Sequence, residues 1–330
     1  MSSLSFLKKN TLTTDNRPFS KWLPVIFLFV FSAVLVPLAG PAFLLLLPMV
    51  LFLNGAFNGL LKTAAVFLMA YALLVLIAFA MKFDIPAVAV FILGAAGVLM
   101  AQRAGKHDSV ERIIIYPSLL IAGAVCFYFI DDAVALSVHP WQLVKNYITL
   151  AVEENVRLYG QLPLKAEDIN FIKDNQETII KGFIHIFPSL VVIFSVMTVW
   201  INLLIGKNYL NRAGIVYPGL TSLAQWKMPE KMIWLFLASG LLLFVPEKTV
   251  NFFTFNVFLV ICFLYFLQGL TIISFLFQLK NVPSFFRYFF YFLIAVQQIL
   301  MIPVITIGLF DMWFDFRKLM QKKSDNAMRD

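Results

Sequence analysis

Long apolar runs separated by short polar stretches set the pattern of this chain. A helix needs about 20 apolar residues to cross the hydrocarbon of a bilayer. Runs approaching that length occur at 22–38, 41–61, 63–81, 85–101, 113–136, 183–205, 232–245, 252–279 and 285–310. Pro48 and "NGAFNG" break the second, and the seventh is short, so the pattern predicts 8–9 transmembrane segments. No charge interrupts the interior of a run and no alternation replaces it, which excludes a β-barrel. The expected fold is all-α, a polytopic helical membrane protein.

The polar stretches divide the chain into a tail (1–21), an N-terminal membrane block (22–136), a polar insertion (137–182), a C-terminal membrane block (183–319) and a second tail (320–330). Within the insertion, Val144, Tyr147, Ile148, Ala151 and Leu158 recur at helical spacing, and Gly160 with Pro163 ends that helix. A second pattern, Ile169, Ile172, Ile179 and Phe183, leads into the next run. These amphipathic helices are expected to lie on the membrane surface; capping a cavity is the alternative.

Composition agrees with the patterning. Hydrophobic residues make up 61% of the chain and charged residues 13%, and phenylalanine occurs 36 times. Soluble domains carry about 45–50% and 25%, so the lipid bilayer is the expected surroundings. The net charge of +8 sits mainly between apolar runs rather than in a basic stripe with interleaved aromatics, which argues against nucleic acid. Lys8, Lys9, Arg17 and Lys21 before the first run, and "PLAGPAF" after it, resemble a signal sequence; an uncleaved first span is expected instead. Cys126 and Cys262 both fall inside apolar runs, so neither a disulfide nor a metal site is expected.

Lys and Arg in short loops set orientation. The N-terminal tail and the basic loops 102–112 and 206–231 fall on one side with nine crossings, which makes that side cytoplasmic. The tail bearing Arg317, Lys318, Lys322, Lys323 and Arg329 then falls outside. The rule contradicts itself unless one segment is re-entrant, and 41–61 or 232–245 is expected to be that segment. The tail is read as cytoplasmic.

No Walker-type loop, HExxH pair or GxSxG elbow occurs, and His107, His139 and His185 stand far apart, so neither an enzyme nor a cofactor is expected. Asp131 and Asp132 point about 100° apart on a helix and read as the exit of a span. Uncharged polar residues within the runs are better candidates. Asn54 and Asn58 share a face four residues apart, Gln268 lies deep in the eighth run, and Gln297 and Gln298 lie near the centre of the last. Such amides need either a neighbouring helix or a bound polar ligand. At the end of the chain, "GLFDMWFDFRKLMQKK" brings Asp311 and Asp315 before Arg317 and Lys318. With no Gly or Pro over 309–320, the last helix is expected to run unbroken through Leu319. That places both acids at the membrane surface, with Lys318 in reach of Asp315.

The segments "IFPSLVVIFSVMTVWINLL", "WKMPEKMIWLFLASGLLL", "FLYFLQGLTIISFLF" and "GLFDMWFDFRKL" together resemble the YybS-like family of bacterial membrane proteins, chiefly over 183–319. The resemblance marks Pro188, Asn202, Trp226, Pro229, Gln268, Gly269, Gly308, Asp311, Asp315 and Arg317 as family-like positions without assigning them a catalytic role. The family is of unknown function and distantly similar to substrate-capturing subunits of energy-coupling-factor vitamin transporters. The extra spans and polar insertion of this chain depart from those subunits. Members are often encoded beside ribosomal-protein genes, which implies a housekeeping role in the bacterial cytoplasmic membrane.

The function expected from these readings is transport-type, with a small polar molecule bound between helices and any ATPase partner supplied in trans. The alternative is a non-transporting membrane scaffold or regulator that acts through protein partners, using the basic loop 206–231 and the charged tail.

Overall fold

The computed structural model describes residues 23–34, 41–82, 86–161, 165–215, 217, 220 and 223–327, and every regular element among them is helical. The basic tail 1–21, the likeness to a signal sequence and both ends of the first expected span lie outside the described residues. The chain divides into two compact units, Met1–Gln102 and Arg103–Asp330.

In the first unit, α1 (Leu23–Val34) packs on α2 (Leu47–Asn58) and α3 (Leu60–Met81), and α4 (Ala87–Gly105) follows. Phe29 and Phe91 both pack on Phe67 through rings 5.7 and 5.3 Å apart. The corner between α2 and α3 turns at Gly59, whose φ of +84° suits a residue without a Cβ. Its open backbone is tied down by side chains. Thr63 Oγ1 donates to the Gly59 carbonyl at 2.9 Å, Asn54 Nδ2 to Thr63 Oγ1 at 3.0 Å, and Asn58 Nδ2 to Asn54 Oδ1 at 2.7 Å.

The second unit runs through α5 (Val110–Ala135), α6 (Pro140–Tyr159), α7 (Ala166–Asp174), α8 (Gln176–Arg212), α9 (Met232–Leu242) and α10 (Lys248–Leu279). It ends with α11 (Ser284–Val296), α12 (Met301–Phe314) and α13 (Phe316–Ala327). At its centre lies α10, in contact with α8, α9, α12 and α13. The amphipathic α6 buries Leu143, Val144 and Val156 and packs against α5 and α8. It therefore closes one end of this helical unit.

Among the described residues, five helices are long and apolar enough to cross a membrane: α3, α4, α5, α8 and α10. A sixth results if α11 and α12 count as one bent span. The expected 8–9 crossings are not confirmed among these residues, for identifiable reasons. Runs 41–61 and 232–245 give only the short apolar helices Leu44–Asn58 and Met232–Leu242, and the last run is bent by 105° between Val296 and Gln298. Pro303 disturbs regular helix through Ile299, because it lacks an N–H and its ring clashes with the carbonyl four residues back. The chain breaks at Gln297 and restarts, with Pro303 in the first turn of α12.

A second break overturns the expected continuous helix through Leu319. Asp315 is left-handed, with φ +42° and ψ 62°, and separates α12 from α13. Aspartate tolerates this conformation better than most residues. Membrane integration is supported by the outer surface, where Leu61, Phe79, Phe127, Leu241 and Phe285 are all more than two-thirds exposed. Large apolar side chains this exposed, and this numerous, call for lipid.

Candidate functional site

Gln268 and Thr271 stand three residues apart on α10 and so share a face. Thr271 Oγ1 lies 2.7 Å from the Gln268 carbonyl. Beside them α12 approaches unusually closely, because a Cβ at Gly269 would run into the Val304 carbonyl and one at Gly308 into the Tyr265 carbonyl. Only glycine permits that backbone-to-backbone contact, which is a familiar device for joining helices within a membrane. It delivers Asp311, one turn on from Gly308, into the polar face of α10.

The break at Asp315 then supplies the counter-charge. In a continuous helix Asp311 and Arg317, six residues apart, would point about 120° apart around the axis. The left-handed turn swings α13 back so that they meet. Asp311 Oδ1 accepts from the Phe316 N–H at 3.0 Å, and Oδ2 accepts from Arg317 Nη1 at 3.0 Å and from Gln268 Nε2 at 3.2 Å. Arg317 Nη2 donates to Thr271 Oγ1 at 2.8 Å and to the Trp226 carbonyl at 2.9 Å. Gln268 Oε1 accepts from the Met228 N–H at 3.2 Å. The pair is deeply buried, with side chains 0% (Asp311) and 6% (Arg317) exposed. Burial lowers the Arg317 pKa from its ordinary value, against the pull of Asp311 and Asp315.

Trp226 is the node of the loop that closes this centre. Its indole Nε1 donates to Glu111 Oε1 at 2.8 Å, at the start of α5, and its ring packs on Trp200 of α8 at 5.3 Å. One residue on, Lys227 pairs with Asp315 at 2.8 Å, and Lys318 pairs with the other oxygen at 2.9 Å, as its spacing predicts. The two ammonium groups, Lys227 foremost, hold the Asp315 carboxyl down at about 2. A cavity of about 40 Å³ lies beside Gln268, lined also by Lys227, Met228, Pro229, Glu230, Tyr265 and Met312. It has room for a few water molecules at most.

The structure thus gathers eight of the family-like positions: Trp226, Pro229, Gln268, Gly269, Gly308, Asp311, Asp315 and Arg317. Asp311, expected at the membrane surface, is fully enclosed within the protein. Asn202 lies on α8 two residues from Trp200, fully buried, with its amide donating to the Thr198 carbonyl at 2.7 Å. Pro188 lies elsewhere on α8, within a second polar contact. There Asn256 of α10 takes the place of a helical bond: its Nδ2 donates to the His185 carbonyl and its Oδ1 accepts from the Ser189 N–H, both at 2.8 Å. A proline distorts the turn before it, and Asn256 satisfies the two backbone groups left open across that turn.

The other expected candidates are placed apart from this centre. Asn54 and Asn58 belong to the α2–α3 corner of the first unit, whereas Gln297 and Gln298 are exposed at the bend between α11 and α12. Asp132 accepts from the Tyr147 hydroxyl at 3.0 Å, tying α5 to α6, and Asp131 is exposed. Among the described residues no three His, Cys, Asp or Glu side chains cluster as metal ligands would. Sequence reasoning missed Thr271, Lys227, Glu111 and Asn256. The three-residue step from Gln268 could have found Thr271, and a proline inside an apolar run could have prompted a search for Asn256. Nothing local links Glu111 to Trp226.

Residues 25–312 match the family described as predicted membrane protein (DUF2232). The chain belongs to that family. It is also similar to the uncharacterized protein YybS of Bacillus subtilis (strain 168), at 25% identity over 240 residues, covering 69% of this chain and 74% of that protein. The DUF2232 match takes in both compact units rather than the C-terminal block alone. No solved structure matches the chain. A multi-pass membrane protein of the DUF2232 family is thus what sequence and fold together establish.

Proposed function

We propose that this chain is a transport-type protein of the bacterial cytoplasmic membrane. It binds a small polar molecule at the Gln268–Asp311–Arg317 centre when the Trp226–Glu230 loop and α13 move aside. The observation that carries this reading is the Asp311–Arg317 ion pair enclosed among the helices. Burying two charges costs more than filling the same space with apolar side chains, so stability alone is a poor reason for the pair. Ionisable groups enclosed in membrane proteins are by default functional. The neighbouring cavity of about 40 Å³ marks where the space would enlarge. No nucleotide-binding motif occurs in the sequence, so an ATPase, if coupling requires one, acts in trans. No enzymatic step is assigned.

One observation favours the alternative of a non-transporting scaffold. The oxygens of Asp311 and both ends of the Gln268 amide already have partners within the chain. A permanent clasp would look like this. Thermal stability of the detergent-purified protein against a metabolite and vitamin panel separates the two, since a ligand stabilises in proportion to its occupancy. The transport reading expects at least one compound to raise the melting temperature, and Gln268→Leu to abolish that rise. No shift across the panel, no copurifying small molecule and crosslinking in membranes to a protein lacking ATPase motifs would replace it with the scaffold.

A further inference from the structure

The side-chain contacts of the second unit fix which chain segments share an end, which sequence counting left contradictory. Trp226 touches Glu111 and Trp200, and its carbonyl takes Arg317, so loop 103–112, the end of α8, residues 223–231 and the start of α13 lie together. At the other end, Asp132 binds Tyr147, and the rings of Trp141 and His185 both pack on Phe252. There α6, the start of α8 and the start of α10 meet.

The number of crossings between these ends follows. Met228 is bound to Gln268, and Leu243 is bound to Asn251 at 3.3 Å; between them Phe236 stacks on Phe258 and meets Tyr265 edge-on. Residues 251 to 268 of α10 cover about 26 Å at helical rise, close to the thickness of the hydrocarbon. Short as it is, α9 therefore sits in a segment that traverses the membrane beside α10. Since Trp226 and Arg317 touch, the chain between them crosses an even number of times. α9 and α10 already supply two, so the bent pair α11–α12 enters and leaves on one side. Among the last three runs, the segment that upset the loop count is then this pair rather than 232–245.

The two ends differ sharply in charge. At the Trp226 end the exposed bases among the described residues include Lys106, Arg112, Arg212, Lys227, Lys231 and Lys318, against the exposed acid Glu230. At the α6–α7 end exposed acids, among them Glu153, Glu154, Asp168 and Asp174, outnumber exposed bases. Bases concentrate on the cytoplasmic side of membrane proteins, and each base near an anionic leaflet adds roughly 1 kcal/mol of attraction. We infer that the Trp226 end is the cytoplasmic face, resting its exposed bases on anionic phospholipid headgroups, with the α6–α7 end outside. This inference stands whether or not the protein transports.

Single cysteines in a background lacking Cys126 and Cys262 test the orientation. Glu153→Cys should react with a membrane-impermeant maleimide in intact cells and Lys231→Cys only after permeabilisation; any other pattern overturns the assignment. For the lipid contact, the full chain is placed in nanodiscs of phosphatidylcholine with or without phosphatidylglycerol. The anionic lipid should raise the melting temperature, the gain should shrink in high salt as charges are screened, and Arg212→Gln/Lys231→Gln should reduce it. Equal stability in the two lipids would assign the face to an acidic protein instead and overturn the lipid contact.

Discussion

Replacing Arg317 with methionine tests the buried centre most directly. The substitution keeps an unbranched chain of similar reach but removes the charge and three donated hydrogen bonds, to Asp311, Thr271 and the Trp226 carbonyl. Hydrogen bonds inside membrane proteins average about 0.6 kcal/mol, so three neutral ones would account for about 2 kcal/mol. Removing one partner of a buried ion pair costs about 3–5 kcal/mol, because the other charge stays enclosed. Asp311 retains the Phe316 N–H and the Gln268 amide, which holds the expected loss near the lower limit, about 3 kcal/mol. The double variant Asp311→Leu/Arg317→Met leaves no stranded charge and is expected within about 1 kcal/mol of the parent. Unfolding in mixed micelles, followed by tryptophan fluorescence with the Trp200 and Trp226 rings packed edge-on, measures the parent, the two single variants Arg317→Met and Asp311→Leu, and the double variant. If Arg317→Met costs less than about 1 kcal/mol, or the double variant loses as much as the singles combined, the two residues are not one coupled unit and the argument fails.

The general architecture was legible in the sequence because the bilayer imposes a length on apolar runs, and α3, α4, α5, α8 and α10 answer to that rule. The breaks were less legible. Pro303 announced a disturbance, but whether a proline kinks a helix or folds it back by 105° depends on what packs around it. Asp315 announced nothing, since local propensity over 309–320 favours helix; the turn is stabilised by contacts that Asp315 makes with Lys227 and Arg317 makes with the Trp226 carbonyl, from elsewhere in the fold. Gln268 stood out as an amide in an apolar run, and Asp311, Asp315 and Arg317 as charges in an odd order. Their convergence required the break and the close approach at Gly269 and Gly308, neither of which periodicity reveals. Gln297 and Gln298 looked equally promising by composition, yet the bend turns them to the surface.

Three further predictions follow from named contacts. Gly269→Ala and Gly308→Ala each place a methyl group against a carbonyl of the facing helix, so each should destabilise the protein by about 1–3 kcal/mol and reduce crosslinking between α10 and α12. Asp315, its carboxyl held at about 2 by Lys227 and Lys318, contributes stability that is present above the ordinary carboxylate range. That contribution should be lost as pH falls from about 4 to about 2. Asp315→Asn, which tolerates the same left-handed turn, should flatten that part of the pH profile in melting experiments. The last concerns the contact between Pro188 and Asn256. Asn256→Leu strands the His185 carbonyl and the Ser189 N–H inside the bundle, at a cost of about 1–3 kcal/mol. If Asn256 acts by standing in for the helical bond that Pro188 disturbs, Pro188→Ala should restore much of that loss, because an unkinked α8 can re-form the bond from Ser189 to His185. A Pro188→Ala/Asn256→Leu protein no more stable than Asn256→Leu alone would show that the asparagine matters only for packing between α8 and α10.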